Sequence, residues 1–274
     1  MLIDFHTHTS ASDGELSPSA LMARASSLGL GALAITDHDT LEGLKSAAAH
    51  VPNNLQLVSG VELSCLWGGA NIHIVGLGFD VAAPAITALI ARQSAARERR
   101  ALKIAQRLEQ AGFSGAYDGA MSVAKGAELG RPHFAKWMVS EGLVDSETRA
   151  FDRYLGRGKP GDVKTFWPAL AEVVAELVAA GGMAVLAHPL HYSMTRMKLR
   201  ALCADFAEAG GLGIEISSGR QTQDEIAKLT RLAQEFGFYA SVGSDFHRPW
   251  QHGPELGVST TVARDVAGVW EVVL

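Results

Sequence analysis

Short apolar runs in this chain repeatedly lead to an imidazole or a carboxylate. Leu2 to Phe5 runs into His6-Thr7-His8, and Ala32 to Thr36 runs into Asp37-His38-Asp39. Leu55 to Leu63 carries Glu62, Asn71 to Phe79 carries His73, and Met183 to Ala187 ends on His188. Tyr239 to Val242 leads into Gly243-Ser244-Asp245-Phe246-His247. Each run has the length and aliphatic character of a strand. Ionisable groups are costly to bury unless they are paired or bound to metal. Strands whose C-terminal ends share one rim bring such residues together, as an α/β barrel with a metal centre does. His6 and His8, two residues apart, leave the same face of a strand and can converge on one ion. Asp13 follows in the turn-like Ser12-Asp13-Gly14. The candidate ligands are His6, His8, Asp13, His38, Glu62, His73, His188, Asp245 and His247. They outnumber what one zinc ion needs, so a centre of two or three divalent ions is expected.

Helix signals alternate with these strands. Ser17-Pro18 is a capped helix entry, Leu21, Ala25 and Leu28 form the apolar stripe, and Gly29 is the stop. Thr40 is a cap for the next helix. Leu170 to Ala180, Leu199 to Glu208 and Asp224 to Phe236 read as helices, and a further strand is expected over Leu212 to Ile216. This alternation predicts a mainly parallel sheet with helices outside it. The middle of the chain differs. Pro84 to about Gln110 reads as one long helix with Ala101, Ile104, Ala105 and Leu108 on its apolar face and Arg92, Arg99, Lys103 and Arg107 nearly opposite. Phe113 to Leu155 reads as short helices. Residues 85–158 are therefore expected to be a helical insertion, a lid over a domain built from 1–84 and 159–274.

Phe5-His6-Thr7-His8, Ser12-Asp13-Gly14, Thr36-Asp37-His38-Asp39, Gly60-Val61-Glu62, His73, Ala187-His188-Pro189 and Gly243-Ser244-Asp245-Phe246-His247 resemble, in order and spacing, the polymerase-and-histidinol-phosphatase (PHP) family. Gly130-Arg131-Pro132-His133-Phe134-Ala135, Tyr154-Leu155-Gly156-Arg157-Gly158-Lys159-Pro160 and the continuation Arg248-Pro249 are similar to its nucleoside 3′,5′-bisphosphate phosphatase and 5′-to-3′ exoribonuclease branch. The resemblance implies a distorted (β/α)7 barrel. It implies a first ion held by His6, His8, Glu62 and Asp245, and a second held by Asp13, His38 and His247. Glu62 would bridge to a third ion held by His73 and His188. Manganese is the metal implied; the residue types accept iron or zinc equally. Where relatives often carry an aromatic residue after Pro160, this chain has Gly161-Asp162.

A phosphate ester is anionic and inert, so its hydrolysis needs charge screening and a nucleophile, and a divalent cluster supplies both. Formal net charge is −5, so an anionic substrate must meet local positive charge. Arg99, Lys103, Arg131, His133 and Arg157 are the candidates, beside the glycine-rich Gly156-Arg157-Gly158-Lys159 loop and the Ser217-Ser218-Gly219-Arg220 turn. Asp13 is the candidate catalytic carboxylate. His191 is either a partner that orients a ligand or the acid that protonates the leaving oxygen. Asp37 and Asp39 are expected to orient His38 or cap the next helix. His50 is read as structural, His252 as exposed, and the tryptophans, Phe134 and Tyr192 as packing residues.

Only two cysteines are present, neither with a histidine at motif-like spacing, and no cationic apolar leader precedes Met1. A reducing cytoplasm fits, and no apolar run suits a membrane span. The expected activity is removal of the 3′-phosphate from nucleoside 3′,5′-bisphosphates. The alternative is 5′-to-3′ cleavage of short 5′-phosphorylated RNA by the same centre. A non-catalytic metal-binding module is a third class, marked by missing ligands; none is missing. The partner implied is a nucleotide or a short RNA end, with no membrane and no protein partner.

Overall fold

The computed structural model describes all residues except 165, 220, 251 and 252, so Arg220 and His252 lie outside the described residues. Two mixed sheets form the centre. In the first, β3 (Gln56–Val58), β2 (Ala32–Ala34), β1 (Leu2–Asp4) and β9 (Val258–Ser259) lie side by side, with β9 antiparallel to β1. In the second, the order is β4 (Gly60–Trp67), β5 (Ala70–Leu77), β6 (Met183–Leu186), β7 (Gly213–Ser218) and β8 (Tyr239–Gly243).

The expected mainly parallel arrangement holds for β6–β7–β8 and for β1–β2–β3, but β5 runs antiparallel to both its neighbours. The cause is Gly68-Gly69, a two-residue hairpin loop with φ of 53° and 73°, a conformation glycine reaches without a Cβ clash. The run expected as one strand from Leu55 to Leu63 is broken at Ser59, so β3 serves one sheet and β4 the other. Gly60 permits the switch, because a Cβ there would lie 2.7 Å from the Ile35 carbonyl oxygen.

Backbone hydrogen bonds join the sheets at two seams. Beyond β1, Phe5 N–H donates to the Val242 carbonyl and His8 N–H to the Phe246 carbonyl. Beyond β2, Glu62 N–H donates to the Asp37 carbonyl and Asp39 N–H to the Glu62 carbonyl. The segments that carry the ligand-type residues are therefore the segments that stitch the sheets together.

Helices pack outside. Ser17 caps α1 (Pro18–Ser27) by accepting from Ala20 N–H. Leu41, not Thr40, occupies the cap position of α2 (Glu42–Ala48), although the Thr40 hydroxyl accepts from Glu42 N–H. Long α3 (Pro84–Gln110) is followed by α4 (Ala116–Ala124), α5 (Arg131–Ser140) and α6 (Glu147–Ala150). The distal part of α3 and these three helices enclose a core of their own, with Ile104, Leu108, Phe134, Met138 and Leu155 buried in it. Then α7 (Leu170–Ala179), α8 (Arg196–Glu208), α9 (Gln223–Phe236) and α10 (Trp270–Val273) complete the chain, the first three covering the larger core beneath the sheets.

Gly243 ends β8 directly against β1. A Cβ there would stand 2.5 Å from His6 Cβ and 2.7 Å from His6 N, both fixed by the sheet. Gly243→Ala should cost about 1–3 kcal/mol through this overpacking and displace His6. A lowered Tm together with reduced metal uptake checks it; an unchanged Tm would contradict the close approach.

Candidate active site

Glu62 sits at the centre of the rim, fully buried. Its Oε1 lies 2.7 Å from His73 Nδ1 and 2.8 Å from His188 Nε2. Its Oε2 lies 2.9 Å from His38 Nδ1 and 3.4 Å from the Nε2 atoms of both His6 and His8. Five imidazoles thus surround one carboxylate. Asp245 Oδ1 adds a second acceptor, 3.5 Å from His6 Nε2 and 3.3 Å from His8 Nε2. Edges of 3.3–3.5 Å suit a tetrahedron whose centre is about 2.1 Å from each corner, the bonding distance of imidazole and carboxylate to a first-row divalent ion.

Asp13 organises the other side, with His247 Nε2 at 3.4 Å, His38 Nε2 at 3.8 Å and His8 Nδ1 at 3.8 Å. Ligand atoms fall within 4.8 Å of one another in four overlapping groups: His8-Asp13-His38-His247, His6-Glu62-His188, His6-His8-Asp245 and His38-Glu62-His73. All nine sequence candidates belong to this constellation. Buried His6 Nε2, both ring nitrogens of His8, Asp13 Oδ1, Glu62 Oε2 and His188 Nδ1 have no hydrogen-bond partner. Unsatisfied atoms at this density are expensive, and divalent ions would satisfy them. The donor set, imidazoles with hard carboxylate oxygens, fits manganese, iron or zinc.

Titration behaviour follows the crowding. Burial lowers His8 to about 3, with the neighbouring His247 contributing, so it stays a neutral ligand. Burial also pushes His247 down, but Asp13 and Asp245 outweigh it and raise it to about 10. For Glu62 the burial penalty is overcome by His38, His73 and His6, which hold it well below the usual carboxylate range.

A further layer of acids, of which the sequence reading missed Glu215 and Asp4, positions these groups. Glu215, buried in β7, places Oε1 2.6 Å from His6 Nδ1 and accepts from His188 N–H at 2.5 Å through Oε2. It leaves His6 Nε2 facing the cluster and pins His188, whose φ of 27° is strained. The available signal was a carboxylate between Ile214 and Ile216 in an apolar strand. Asp4 accepts from Ser244 and Gly257 N–H at 2.9 Å each, tying the Asp245 loop to β1. Asp37 and Asp39 do not orient His38 directly. Asp37 clamps Thr9 and Ser12 through bonds of 2.6–2.7 Å, and Asp39 accepts from Ser64 and pairs with Arg97.

A cavity of about 380 Å³ opens from Asp13, His38, His73 and His188 towards Arg97, Arg100, Arg131 and Trp167. Arg99 and Lys103 were expected there but are exposed, because on α3 they point about 100° per residue away from Arg97 and Arg100. Arg99 lies over Phe166 and Lys103 bonds Gln106. Arg97 and Arg100 instead flank the Trp167 ring at 5.3 and 5.4 Å. Burial, then Arg131 and Arg97, pulls Arg100 down to about 9, still charged at neutral pH. His133 is also displaced from its expected role: its Nδ1 accepts from Gly130 N–H and caps α5. Arg157 stands in an adjoining trough of about 490 Å³ that also contains Arg131, Lys164 and Lys198. His191 is exposed, its ring parallel to His188 at 5.0 Å, and burial with the His188 charge lowers it. Burial lifts the Cys203 thiol to about 12 and Cys65 higher still, so neither is a thiolate near neutrality.

The PHP domain family matches residues 4–129. A 5′-3′ exoribonuclease of Haemophilus influenzae is 45% identical over 98% of this chain and 97% of its own length. A 3′,5′-nucleoside bisphosphate phosphatase of Chromobacterium violaceum is 41% identical over 98% and 95%. The chain belongs to the PHP family. A solved structure described as an amidohydrolase from Chromobacterium violaceum, with bound sulfate and no metal, superposes with a TM-score of 0.87 at 38% identity, covering 99% of this chain and 95% of that one. As a PHP phosphoesterase this protein is a metal-dependent hydrolase, consistent with the ligand groups on its rim. Among the described residues no helix is long and apolar enough to cross a membrane.

Two outcomes follow for the PHP centre. Glu215→Gln replaces one acceptor by a donor, so His6 and the His188 N–H cannot both be satisfied. Metal affinity should fall about 10–100-fold, read as metal content after dialysis and as a smaller metal-induced rise in Tm. Chelation should lower Tm, and re-added manganese should restore it less well as pH drops towards 5, because protons compete for the imidazoles. A Tm indifferent to metal at every pH would contradict the ligand assignment.

Proposed function

We propose that this protein removes the 3′-phosphate from nucleoside 3′,5′-bisphosphates, releasing nucleoside 5′-monophosphate and phosphate. The observation carrying this reading is the wall of three guanidiniums, Arg97, Arg100 and Arg131, across one cavity from the ligand constellation. A substrate with a single phosphate needs only the metal side; a second phosphate accounts for the opposite wall. Like charges held this close are stabilised by an anion between them. The activity named for the Chromobacterium violaceum relative supports the same substrate class.

In this reading two or three divalent ions, most economically manganese, are held by the nine ligands, with His73 and His188 sharing Glu62 Oε1. Bound there, the ions screen the reacting phosphate and lower the pKa of the attacking water. Asp13 and Glu62 orient the ligand imidazoles. Arg131, whose Nη1 also donates to the Leu155 carbonyl at 3.1 Å, faces the non-reacting phosphate from the start of α5. Arg97 is tied to Asp39, so Arg100 and Arg131 have more freedom to contact substrate. His191, at the mouth, is assigned the proton transfer to the leaving 3′-oxygen; an anionic substrate beside it would raise its pKa towards neutrality.

Residues 85–158 act as a lid inserted in a seven-stranded distorted barrel. Support for the barrel is the circuit β1–β2–β4–β5–β6–β7–β8, closed by the two backbone seams. Support for the lid is its separate core and its contribution of Arg97, Arg100 and Arg131 to the cavity. Two buried free cysteines accord with a reducing cytoplasm.

A second reading is 5′-to-3′ cleavage of short 5′-phosphorylated RNA, the activity named for the Haemophilus influenzae relative. It is favoured by a second opening of the rim, past Asp245 and His191, which leaves room for a phosphate carrying another substituent.

Release of phosphate from adenosine 3′,5′-bisphosphate, 3′-AMP, 5′-AMP and histidinol phosphate tests the substrate class; equal rates on all four would remove the claim of bisphosphate recognition. Arg131→Ala should cost about 1.5–3 kcal/mol in kcat/KM for the bisphosphate while sparing p-nitrophenyl phosphate. Asp13→Ala should depress kcat on both.

A further inference from the structure

On the side of the rim away from the guanidiniums lies a cavity of about 350 Å³ between the ends of β6, β7 and β8. It borders the constellation through Asp245 and meets the main cavity at His191, which lines both. Its other polar groups are Ser218, Gln221, Glu225 and Ser244. Gly219, at φ 104°, shapes the floor: a Cβ there would lie 2.7 Å from the Ser244 carbonyl oxygen, so the β7 and β8 loops approach closely only because it is glycine.

The chemistry of the two cavities is opposite. The first presents three guanidiniums, whereas the second has no Lys or Arg among its described lining residues and instead offers hydroxyls, an amide and the Glu225 and Asp245 carboxylates. A phosphate would be repelled there. A neutral group bearing hydroxyls and exocyclic amines is suited to it, since carboxylate and amide oxygens accept from both. Gln221 is already set in place, with Oε1 accepting from Ser218 N–H and Nε2 donating to Ser218 Oγ, each at 2.8 Å, which leaves one amide N–H for a ligand. In Glu225, Oε2 accepts from Thr222 at the α9 cap, leaving Oε1 unengaged by that cap.

We propose that this second cavity binds the nucleoside that follows the scissile phosphate in a 5′-phosphorylated oligonucleotide. The inference rests on the RNA-cleaving reading above. The 5′-terminal nucleotide would occupy the guanidinium cavity, and its 3′-phosphodiester would lie at the rim. In the reaction, the oxygen of water forms a bond to phosphorus and the bond from phosphorus to the terminal nucleotide's O3′ breaks. O3′ receives a proton, and the phosphate stays on O5′ of the nucleoside in the second cavity. A bisphosphate reacts at the same bond with that cavity unfilled. One centre thereby serves monoester and diester, and the second cavity affects only the diester.

The test compares three substrates: adenosine 3′,5′-bisphosphate, its 3′-methyl ester, and the 5′-phosphorylated dinucleotide of adenosine. Gln221→Trp fills the cavity from its half-buried edge. The dinucleotide should lose about tenfold or more in kcat/KM, while the bisphosphate and the methyl ester change by less than about twofold. Retained bisphosphate turnover shows that the variant is folded. Equal loss on all three, no loss on the dinucleotide, or a methyl ester as impaired as the dinucleotide would each overturn the assignment. Wild-type protein that hydrolyses the bisphosphate but leaves the dinucleotide intact would overturn it too, with the phosphatase reading standing. Activity on none of the three would remove that reading itself.

Discussion

Everything at the rim depends on keeping one buried carboxylate charged. Glu62 is withdrawn from water, and burial alone would protonate it. Imidazoles from His6, His8, His38, His73 and His188, contributed by four separate stretches of chain, reverse that tendency. No local segment could gather them. The two sheets must be joined at the right register first, and the joints are made by the same residues: Glu62 exchanges backbone hydrogen bonds with Asp37 and Asp39 on either side of His38. The ligand cluster and the fold's closure are thus one structure.

Around this cluster the protein uses buried acids as fasteners. Glu215 links His6 of β1 to the strained backbone of His188 after β6, Asp4 holds the Ser244 and Gly257 amides, and Asp37 gathers Thr9 and Ser12. Each carboxylate is satisfied by fixed donors, which makes a buried charge tolerable and holds its neighbours at one geometry. Arg97 extends the same logic to the lid helix, since its pairing with Asp39 couples α3 to the turn that carries His38.

The surroundings of the cluster are polar in two different ways. Arginines from α3 and α5 stand across one opening, while hydroxyl, amide and carboxylate groups at the ends of β7 and β8 and the start of α9 line the other. That asymmetry gives a directional site, with the doubly charged end of a nucleotide on one side and a neutral group on the other. A net charge of −5 across the whole chain conceals it; what an anion meets is the local field of three guanidiniums.

The nine ligand residues were legible in the chain itself, because a histidine or acid set repeatedly at or near the end of an apolar run has few explanations besides convergence. Strand and helix positions were legible for the same reason of periodicity, and the long helix Pro84–Gln110 follows its apolar stripe from end to end. The antiparallel hairpin was written in Gly68-Gly69 but was overridden by the alternation of strands and helices elsewhere. What only the tertiary structure decided was which charges face the cavity. Arg97 and Arg100 differ from Arg99 and Lys103 by rotation about one helix, and nothing in their spacing says which side the barrel lies on until Trp167 and Asp39 pack against them. The role of Glu215 was hidden likewise, because a lone carboxylate in a strand acquires meaning only from the imidazole and the amide that other strands bring within 2.6 Å. Sequence specifies the chemical groups locally; their partners are set by long-range register, which the chain encodes only through the packing of the whole.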